Sequence, residues 1–160
     1  MGTQYEIERK YIVRMPDVPL PGTESVTDIT QVYLLTDDGS SERVRTRGGK
    51  YTHNRKVPVT EIRNVETEEE ISREEYEALL ERRDPACAVI EKVRHVFEYE
   101  GQNFELDVFP FWKKQAMMEI ELKNEDVPVN MPPFITVIRE VTEDRRYKNH
   151  YMAKYIPAEE

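Results

Sequence analysis

The sequence predicts an α+β domain in which an antiparallel sheet closes into a tunnel with its charged face inward. Six segments alternate charged and apolar residues with a period of two, which is the spacing of β-strands. Turn residues such as Asp-Asp-Gly and Gly-Gly separate the segments and favour antiparallel hairpins. Only two stretches have helical spacing, so we expect few helices, packed outside the sheet.

The first predicted strand, 5–13, shows the pattern clearly. Alternation places Glu6, Glu8 and Lys10 on one face and mainly apolar side chains on the other. Taken alone, such a strand is typical of a sheet edge whose charged side lies in water. Its meaning depends on whether other strands repeat the arrangement. A proline-rich loop, 15–22, follows.

Two cationic strands come next. Residues 29–35 are rich in β-forming side chains, and 37–39 are typical of a hairpin turn. The strand that follows alternates Arg43, Arg45 and Arg47 with neutral residues. A further strand at 51–57 carries Lys56.

The most acidic strand and a helix lie in the middle of the chain. Residues 65–71 place Glu66, Glu68 and Glu70 on one face. Ser72 and Glu75 then form a capping box, which begins a short amphipathic helix that ends near Arg83. We expect this helix to pack its apolar stripe on the sheet.

The β pattern returns after residue 88 in three predicted strands. One carries Lys92 and Arg94, the second Glu105 and Asp107, and the third Glu119 and Glu121. Residues 100–103 predict a tight hairpin between the first two. Residues 134–141 predict one more strand, or a strand followed by a turn, and Thr142 or Asp144 can cap a last helix. Its expected apolar stripe consists of Tyr147, Tyr151, Met152 and Tyr155.

Composition limits the class of protein. The chain of 160 residues has the size of one domain, 1–160, and its formal net charge of −9 disfavours binding to nucleic acid. The single cysteine, Cys87, excludes an internal disulfide and a multi-thiolate zinc site. No apolar run approaches the roughly 20 residues of a membrane span. We therefore expect a cytoplasmic protein that acts away from membranes.

The repeated charged faces are hard to explain as a solvated surface. If they line a tunnel, unpaired charges there would each cost several kcal/mol, so a ligand must compensate them. Paired carboxylates are oxygen ligands suited to magnesium or manganese, and clustered Arg and Lys suit phosphate oxygens. The two together predict a metal-bound polyphosphate.

The ordered motifs resemble those of the CYTH superfamily, also called triphosphate tunnel metalloenzymes. Glu6-Ile7-Glu8-Arg9-Lys10 matches its ExExK signature, and the resemblance is closest to small bacterial members that open with EIERK. Further matching segments are Arg43-Val44-Arg45, the strand around Glu68 and Glu70, Lys92 and Arg94, 104–107, 119–121 and the tail 140–149. The resemblance implies a closed eight-stranded antiparallel tunnel that hydrolyses or rearranges triphosphates with a divalent metal, Mg or Mn.

The resemblance also implies roles for individual residues. Glu6, Glu8, Glu119 and Glu121 would hold the metal. Lys10, Arg43, Arg45, Lys56, Lys92 and Arg94 would bind the triphosphate. Glu68, Glu70 and Asp107 are candidates for a second metal or for positioning the attacking water, and Lys10 could orient that water or the terminal phosphate.

Two departures from the family pattern leave alternatives open. The family's strand after Arg-x-Arg carries Thr-x-Lys, so Lys50 or Arg55 could take the place of Lys56. The acidic strand offers three glutamates at 66, 68 and 70 for the family's Glu-x-Glu pair. Arg145 and Arg146 are expected at the surface, although a C-terminal helix at one tunnel mouth could aim one of them inward.

The predicted activity is metal-dependent hydrolysis of inorganic tripolyphosphate or a similar small triphosphate. The partner would be a small-molecule triphosphate, and the chain would act as a monomer or homodimer. The alternatives are an adenylate cyclase or thiamine triphosphatase of the same superfamily, or a module that binds polyphosphate or nucleotide without turnover. The chain is short and has no evident segment for a base pocket, which favours the bare triphosphate.

Overall fold

The computed structural model describes residues 2–60 and 62–160, and the side chains of 7–60 and 62–160. The strands are β1 (Gly2–Arg14), β2 (Thr23–Tyr33), β3 (Ser41–Arg47), β4 (Lys50–Pro58), β5 (Arg63–Ile71), β6 (Ile90–Tyr99), β7 (Gln102–Val108), β8 (Gln115–Leu122) and β9 (Val137–Glu140). The helices are α1 (Arg73–Leu79) and α2 (Asn149–Lys154), with 3-10 turns at Leu80–Arg82 and Arg145–Tyr147. No helix in the described part of the chain has the length and apolar character needed to cross a membrane.

Eight of these strands close into an antiparallel barrel. Their order is β5-β4-β3-β2-β6-β7-β8-β1, and β1 pairs back onto β5. The N-terminal half of β1 pairs with β5, and its C-terminal half pairs with β8 and β9. This arrangement confirms the predicted closed eight-stranded antiparallel barrel.

The ladder register shows which face points inward. Residues directly opposite each other in an antiparallel ladder lie on the same face. Lys10 lies opposite Glu119, Glu119 opposite Glu105, and Arg94 opposite Asp107. The charged faces of these strands therefore form one continuous inner surface.

The apolar faces form the outer wall of the barrel. Phe97, Phe104 and Leu106 belong to one buried cluster, which the loops at 15–22 and 123–136 cover with side chains such as Leu20 and Ile135. Helix α1 covers a second outer cluster around Val32, Val44 and Ile71 with Tyr76, Leu79 and Leu80. Its predicted capping box is confirmed, since Ser72 accepts a hydrogen bond from the Glu75 backbone and Glu75 accepts one from the Ser72 backbone.

The inner face becomes apolar at one end of the barrel. Ile12, Ile90 and Met117 each lie two residues from an inward-facing charge, so they share its face, and they belong to one buried cluster. The C-terminal segment adds Tyr147 and Met152 to this cluster. Helix α2 thus covers an end of the barrel, whereas α1 packs outside as expected.

The C-terminal segment differs from the predicted single helix. It consists of a 3-10 turn and a separate α2, because Lys148 has extended backbone angles that break the helical phase between them. Asp144 caps the turn, while the hydroxyl of Thr142 accepts a hydrogen bond from the backbone N–H of Lys10. Of the predicted apolar stripe, Tyr147 and Met152 are buried but Tyr151 and Tyr155 are exposed.

Two strand boundaries also differ from the prediction. Strand β2 begins at Thr23, six residues before the predicted start at Ile29. Its first part alternates half-buried and exposed residues, most of them polar, and so lacks the continuous run of β-forming side chains found from Ile29 onward. Pairing with β6 extends the strand back to Thr23. Strand β9 covers only 137–140 of the predicted 134–141, because it pairs with only the short part of β1 that lies beyond β5.

Candidate functional site

A cavity of about 320 Å³ lies at the end of the barrel where the C-terminal segment packs. Strands β1 to β5 form one side of it, and residues 142–154 form the other. Its lining combines inward-facing residues of the barrel with side chains of α2. The cavity therefore joins the predicted tunnel to a segment that carries no strand pattern.

The cavity is strongly cationic. Six lining residues are cations and two are carboxylates. The cations are Lys10, Arg43, Lys56, Arg145, Lys148 and Lys154, and the carboxylates are Glu8 and Glu66. Because the whole chain has a formal net charge of −9, this excess of positive charge is local. Such a concave cationic surface attracts small anions.

Arg43 and Lys56 project from neighbouring strands toward Glu66. The Nζ atom of Lys56 lies 3.6 Å from a Glu66 oxygen, and Asn54 donates a 3.5 Å hydrogen bond to the same carboxylate. Arg43 is buried, and although burial lowers its pKa, Tyr33 and Glu66 raise the pKa above its ordinary value. The guanidinium therefore stays charged inside the cavity.

Lys10 is held between β8 and the C-terminal segment. Its Nζ atom donates a 3.0 Å hydrogen bond to the carbonyl oxygen of Tyr147 and lies 3.4 Å from a Glu119 oxygen. The Lys10 side chain is buried. The lysine of the ExExK motif thus serves as a counter-ion for Glu119 and also contacts the backbone that closes the cavity.

A buried ion network lies further along the inner face. Asp107 binds Arg94 through two hydrogen bonds of 2.8 and 3.0 Å and lies 2.7 Å from Lys92 Nζ. Burial lowers the pKa of Lys92 to about 7, with Asp107 opposing the shift and Arg94 and Arg45 adding to it. Burial raises the pKa of Asp107, but the charges of Lys92 and Arg94 outweigh this and hold it below its ordinary value.

This network changes how Asp107 is best understood. Both of its oxygens contact cations, which is the arrangement of a counter-ion rather than of a metal ligand. Arg94 also reaches Glu105 at 3.3 Å. Arg45 donates to the side chain of Gln31 at 3.1 and 2.7 Å, and its pKa is lowered by burial and by the nearby Arg43 and Arg94.

Carboxylates oppose each other across β1, β8 and β7. Glu8 lies opposite Glu121, and Glu105 lies opposite Glu119. Burial raises the pKa of Glu105, and Glu119 and Asp107 raise it further against the effect of Arg94. Like charges directly opposite each other destabilise a sheet, which a bound divalent cation would relieve. The donor set of carboxylate oxygens fits magnesium or manganese.

Among the described residues, the oxygens of these carboxylates do not lie close enough together to bind one metal ion without moving. Of the residues described, only Asp84, Cys87 and His150 bring three potential ligand atoms within 4.8 Å of one another. A cation would therefore have to draw the barrel carboxylates together. The side chain of Glu6, the fourth predicted metal ligand, lies outside the described residues, and its backbone pairs with that of Asn64.

The structure brings several of the predicted site residues together. Glu8, Lys10, Arg43 and Lys56 line the cavity, while Arg45, Lys92, Arg94, Asp107 and Glu119 lie buried on the inner face. Glu68 and Glu70 share a face with Asn54 but are exposed, and Glu121 is also exposed. Of the three candidate glutamates of β5 at 66, 68 and 70, Glu66 alone lines the cavity.

The structure shows which of the alternative cations of β4 faces inward and which of Arg145 and Arg146 lines the cavity. Arg55 points away from the lumen and contacts Asp38 on the outer surface at 2.5 Å. Lys50 is exposed beside a turn. Lys56 is therefore the inward cation of β4. Arg145 lines the cavity, whereas Arg146 contacts the carboxylate of Asp144 at the surface.

The sequence indicated that a C-terminal helix could aim Arg145 or Arg146 into one tunnel mouth, but it did not identify the other cavity residues of this segment. Lys148, His150 and Lys154 line the cavity, but the predicted continuous helix gave them the wrong phase. Tyr33 was also missed, although it lies two residues beyond Gln31 and so shares its inward face. Its ring stacks on His150 with centroids 4.9 Å apart.

Comparison with known proteins shows that this chain is similar to inorganic triphosphatases. The chain is 34% identical to the inorganic triphosphatase of Nitrosomonas europaea, with 95% of this chain and 99% of that protein aligned. It is 36% identical to the inorganic triphosphatase of Acetivibrio thermocellus, with 93% of each aligned. A crystal structure of an inorganic triphosphatase superposes with a TM-score of 0.62 at 32% identity, covering 96% of this chain and 97% of that one.

The family to which the chain belongs is shown by a match to the CYTH domain. The CYTH domain matches residues 4–128, which include β2 to β8 and all but the first two residues of β1. The closed barrel, its charged interior and the ExExK motif of β1 agree with this match. The chain belongs to the CYTH family.

Proposed function

We propose that this protein hydrolyses inorganic triphosphate in a metal-dependent reaction. The observation that carries the proposal is the cavity with six cations and two carboxylates beside opposed carboxylate pairs on β1, β7 and β8. Relatives at 34 and 36% identity are named inorganic triphosphatases, which supports the same activity here. The cavity volume of about 320 Å³ lies at the small end of ligand sites and suits a compact substrate.

The cations would bind the phosphate chain. Arg43 offers a planar guanidinium that can contact two phosphate oxygens, and Lys56 offers a single charge on the neighbouring strand. Both are now close to Glu66, so the substrate would replace that carboxylate as their partner. Arg145 and Lys148 face them from the C-terminal segment and would enclose the same anion.

The carboxylates would hold the metal. CYTH triphosphatases are metal-dependent in general, and we propose magnesium or manganese because the available ligands are carboxylate oxygens. Glu8, Glu119 and Glu121 would bind it together with Glu6, as the family resemblance implies, and Glu105 would join them from β7. When bound, such a metal neutralises charge on the phosphoryl oxygens.

The reaction would be an in-line displacement at a terminal phosphorus. The oxygen of a water molecule forms a bond to phosphorus while the bond to the bridging oxygen breaks, which gives orthophosphate and diphosphate. The chain would contribute mainly by fixing the substrate and by neutralising its charge. Lys10 would act near the terminal phosphate, and Glu68 and Glu70 remain candidates for orienting the water. Asp107 would hold Lys92 and Arg94 in place.

A substrate screen tests the proposal. Purified protein is incubated with Mg²⁺ or Mn²⁺ and with tripolyphosphate, ATP or thiamine triphosphate, and the products are separated by ion chromatography. We expect orthophosphate and diphosphate from tripolyphosphate, with slower turnover of the two organic triphosphates. Cyclic AMP from ATP would indicate a cyclase, and binding without turnover of any substrate would indicate a binding module. Either result would reject the proposed hydrolysis.

A further inference from the structure

A second cluster of potential metal ligands lies where the loop after α1 meets the C-terminal helix. Asp84 and Cys87 come from this loop, and His150 comes from the first turn of α2. The three ligand atoms lie within 4.8 Å of one another. Asp84 and Cys87 are buried and His150 is partly buried. Asp84 and Cys87 do not line the cationic cavity, whereas His150 lies at the boundary between the cavity and this cluster.

The spacing of two of these atoms suits a tetrahedral site. Ligand atoms bound at about 2.0–2.3 Å to one tetrahedral zinc lie roughly 3.3–3.6 Å apart. The Sγ atom of Cys87 lies 3.6 Å from Oδ2 of Asp84. The other Asp84 oxygen accepts a 2.9 Å hydrogen bond from the Ala86 backbone, which fixes the carboxylate and leaves Oδ2 facing the sulfur. A shift of the His150 ring of about one ångström would complete three ligands.

One polar atom of this cluster lacks a hydrogen-bond partner among the described residues. This atom is Nε2 of His150, which is buried. Burial and the Asp84 charge raise the pKa of the Cys87 thiol to about 11, so without metal the sulfur carries a proton. A buried polar atom that lacks a partner costs free energy, which a bound ligand would recover.

The positive charge of nearby Lys154 would repel a metal ion bound by this cluster. Lys154 lies close enough to lower the pKa of His150, after the larger effect of burial, and to affect Asp84 and Cys87. Its side chain is exposed, so its ammonium group can move into water when a metal enters. Asp84 supplies the compensating negative charge, and a bound thiolate would supply a second one.

We propose that Asp84, Cys87 and His150 form a binding site for a borderline divalent metal such as Zn²⁺. Carboxylate oxygen, thiolate sulfur and imidazole nitrogen are the ligands that zinc accepts, and water can take the fourth position. Binding would release the thiol proton to solvent as the metal–sulfur bond forms. This site differs in chemistry from the oxygen-only donors in the barrel and does not depend on the proposed hydrolysis.

Occupancy of the site would fasten the C-terminal helix to the barrel. The backbone N–H of Ala88 already donates a 2.7 Å hydrogen bond to Ala153, so the loop and α2 are in contact without metal. A metal bound by His150 would add a second link across the same junction. Because α2 contributes Lys148 and Lys154 to the cavity, the metal would stabilise the segment that closes the phosphate site.

Cobalt(II) provides a direct probe, because Cys87 is the only cysteine in the chain. Protein freed of metal by a chelator is titrated with Co²⁺, and its absorption spectrum is recorded. We expect a saturable thiolate-to-cobalt charge-transfer band in the near ultraviolet, which oxygen-only sites in the barrel cannot produce. Zn²⁺ should bleach the band, whereas excess Mg²⁺ should leave it intact.

Variants assign the band to the three residues. Cys87→Ser should abolish it, and His150→Gln should weaken cobalt affinity by at least about tenfold, since even outer-shell changes cost that much. Glu119→Gln, which alters the barrel carboxylates, should retain the band. If Cys87→Ser does not fold, as judged by circular dichroism, His150→Gln and Asp84→Asn carry the test. No band in the wild-type protein, or a band unchanged in both of those variants, would overturn the proposal.

Discussion

At the scale of single residues, the inner face of the barrel consists of charges that need particular partners. Asp107 shows this most clearly, because it is the shared counter-ion of Lys92 and Arg94. All three side chains are buried. Removing one member of a buried ion pair leaves an uncompensated charge, which costs far more than losing a pair at the surface.

Asp107→Asn should therefore lower the free energy of unfolding by about 3–5 kcal/mol. The amide keeps the size of the side chain but removes the charge that balances two cations. Glu105→Gln is the matched control. Glu105 forms an ion pair with Arg94 and its side chain is 31% exposed, so the loss should stay below about 1 kcal/mol. Urea unfolding of both variants measures the difference, and equal losses would contradict the assigned role.

The same substitution should change the response to acid. Because the pKa of Asp107 is depressed in the folded state, its contribution to stability is present above its ordinary pKa and is lost as pH falls through the folded-state value. The wild-type protein should lose stability from about pH 4 downward more steeply than Asp107→Asn. The gap between the two unfolding free energies should narrow in this range. A constant gap would show that Asp107 is not a depressed carboxylate.

Lys56 and Arg55 are adjacent cations on opposite faces of β4, so they form a natural pair for testing the substrate site. Lys56→Met should raise the KM for tripolyphosphate by roughly ten- to a hundredfold, because a hydrogen bond to a charged group contributes about 1.5–3 kcal/mol. Arg55→Met should leave KM unchanged, since Arg55 contacts Asp38 outside the barrel. Steady-state kinetics with tripolyphosphate would detect the difference. Similar effects of both changes would place Lys56 outside the site.

At the scale of secondary-structure elements, most strands were predictable because they carry their own period-two pattern. The register Lys10 opposite Glu119 follows once the charged faces are required to share one surface. The C-terminal segment was less predictable. The direction in which its side chains point depends on the extended backbone of Lys148 and on the contact of Lys10 with Tyr147. That contact joins residues more than a hundred positions apart. No local pattern encodes such a contact, so Lys148, His150 and Lys154 were not identified as cavity residues.

The loop before β2 depends on Gly22. This residue has φ of +75°, and a Cβ atom there would overlap the carbonyl oxygen of Glu98 in β6. Gly101 also has φ of +75° but has open space around it. Gly101→Ala should cost about 1–2 kcal/mol from backbone strain alone, and Gly22→Ala should cost a further 1–3 kcal/mol because the β6 backbone cannot move away. Chemical denaturation of the two variants provides the comparison, and equal costs would mean that the loop relaxes freely.

The opposed glutamates of β1 and β8 should make stability depend on metal. Bound Mg²⁺ or Mn²⁺ at about 100 times its dissociation constant would stabilise the wild-type protein by about 2.7 kcal/mol. Glu121→Gln should remove most of this gain, because Glu121 lies directly opposite Glu8 on the inner face. Glu91→Gln, an exposed residue on the opposite face of β6 from the inward-facing Lys92, should keep the full gain. Thermal melts with and without metal measure both, and a full metal effect in Glu121→Gln would remove that residue from the site.

At the scale of the whole molecule, the net charge of the chain and the local charge of the cavity have opposite effects on substrate binding. The net charge of −9 repels a polyanion, whereas the six cations of the cavity attract it. A chain of this length has a radius of gyration of about 15 Å, so most surface charges lie more than a Debye length, about 10 Å at 0.1 M salt, from the cavity. The lining cations lie within contact distance of the ligand and are screened much less.

Local attraction should therefore dominate, and added salt should weaken binding. We expect the dissociation constant of tripolyphosphate, measured by calorimetry in the presence of a chelator, to rise by about tenfold or more between 0.1 and 1 M NaCl, where the Debye length falls to about 3 Å. Lys56→Met should show a shallower dependence because it lacks one of the attracting charges, and Arg55→Met should follow the wild type. If salt instead strengthened binding, the global negative charge would control association, and the cationic cavity would not be the site at which the polyanion binds.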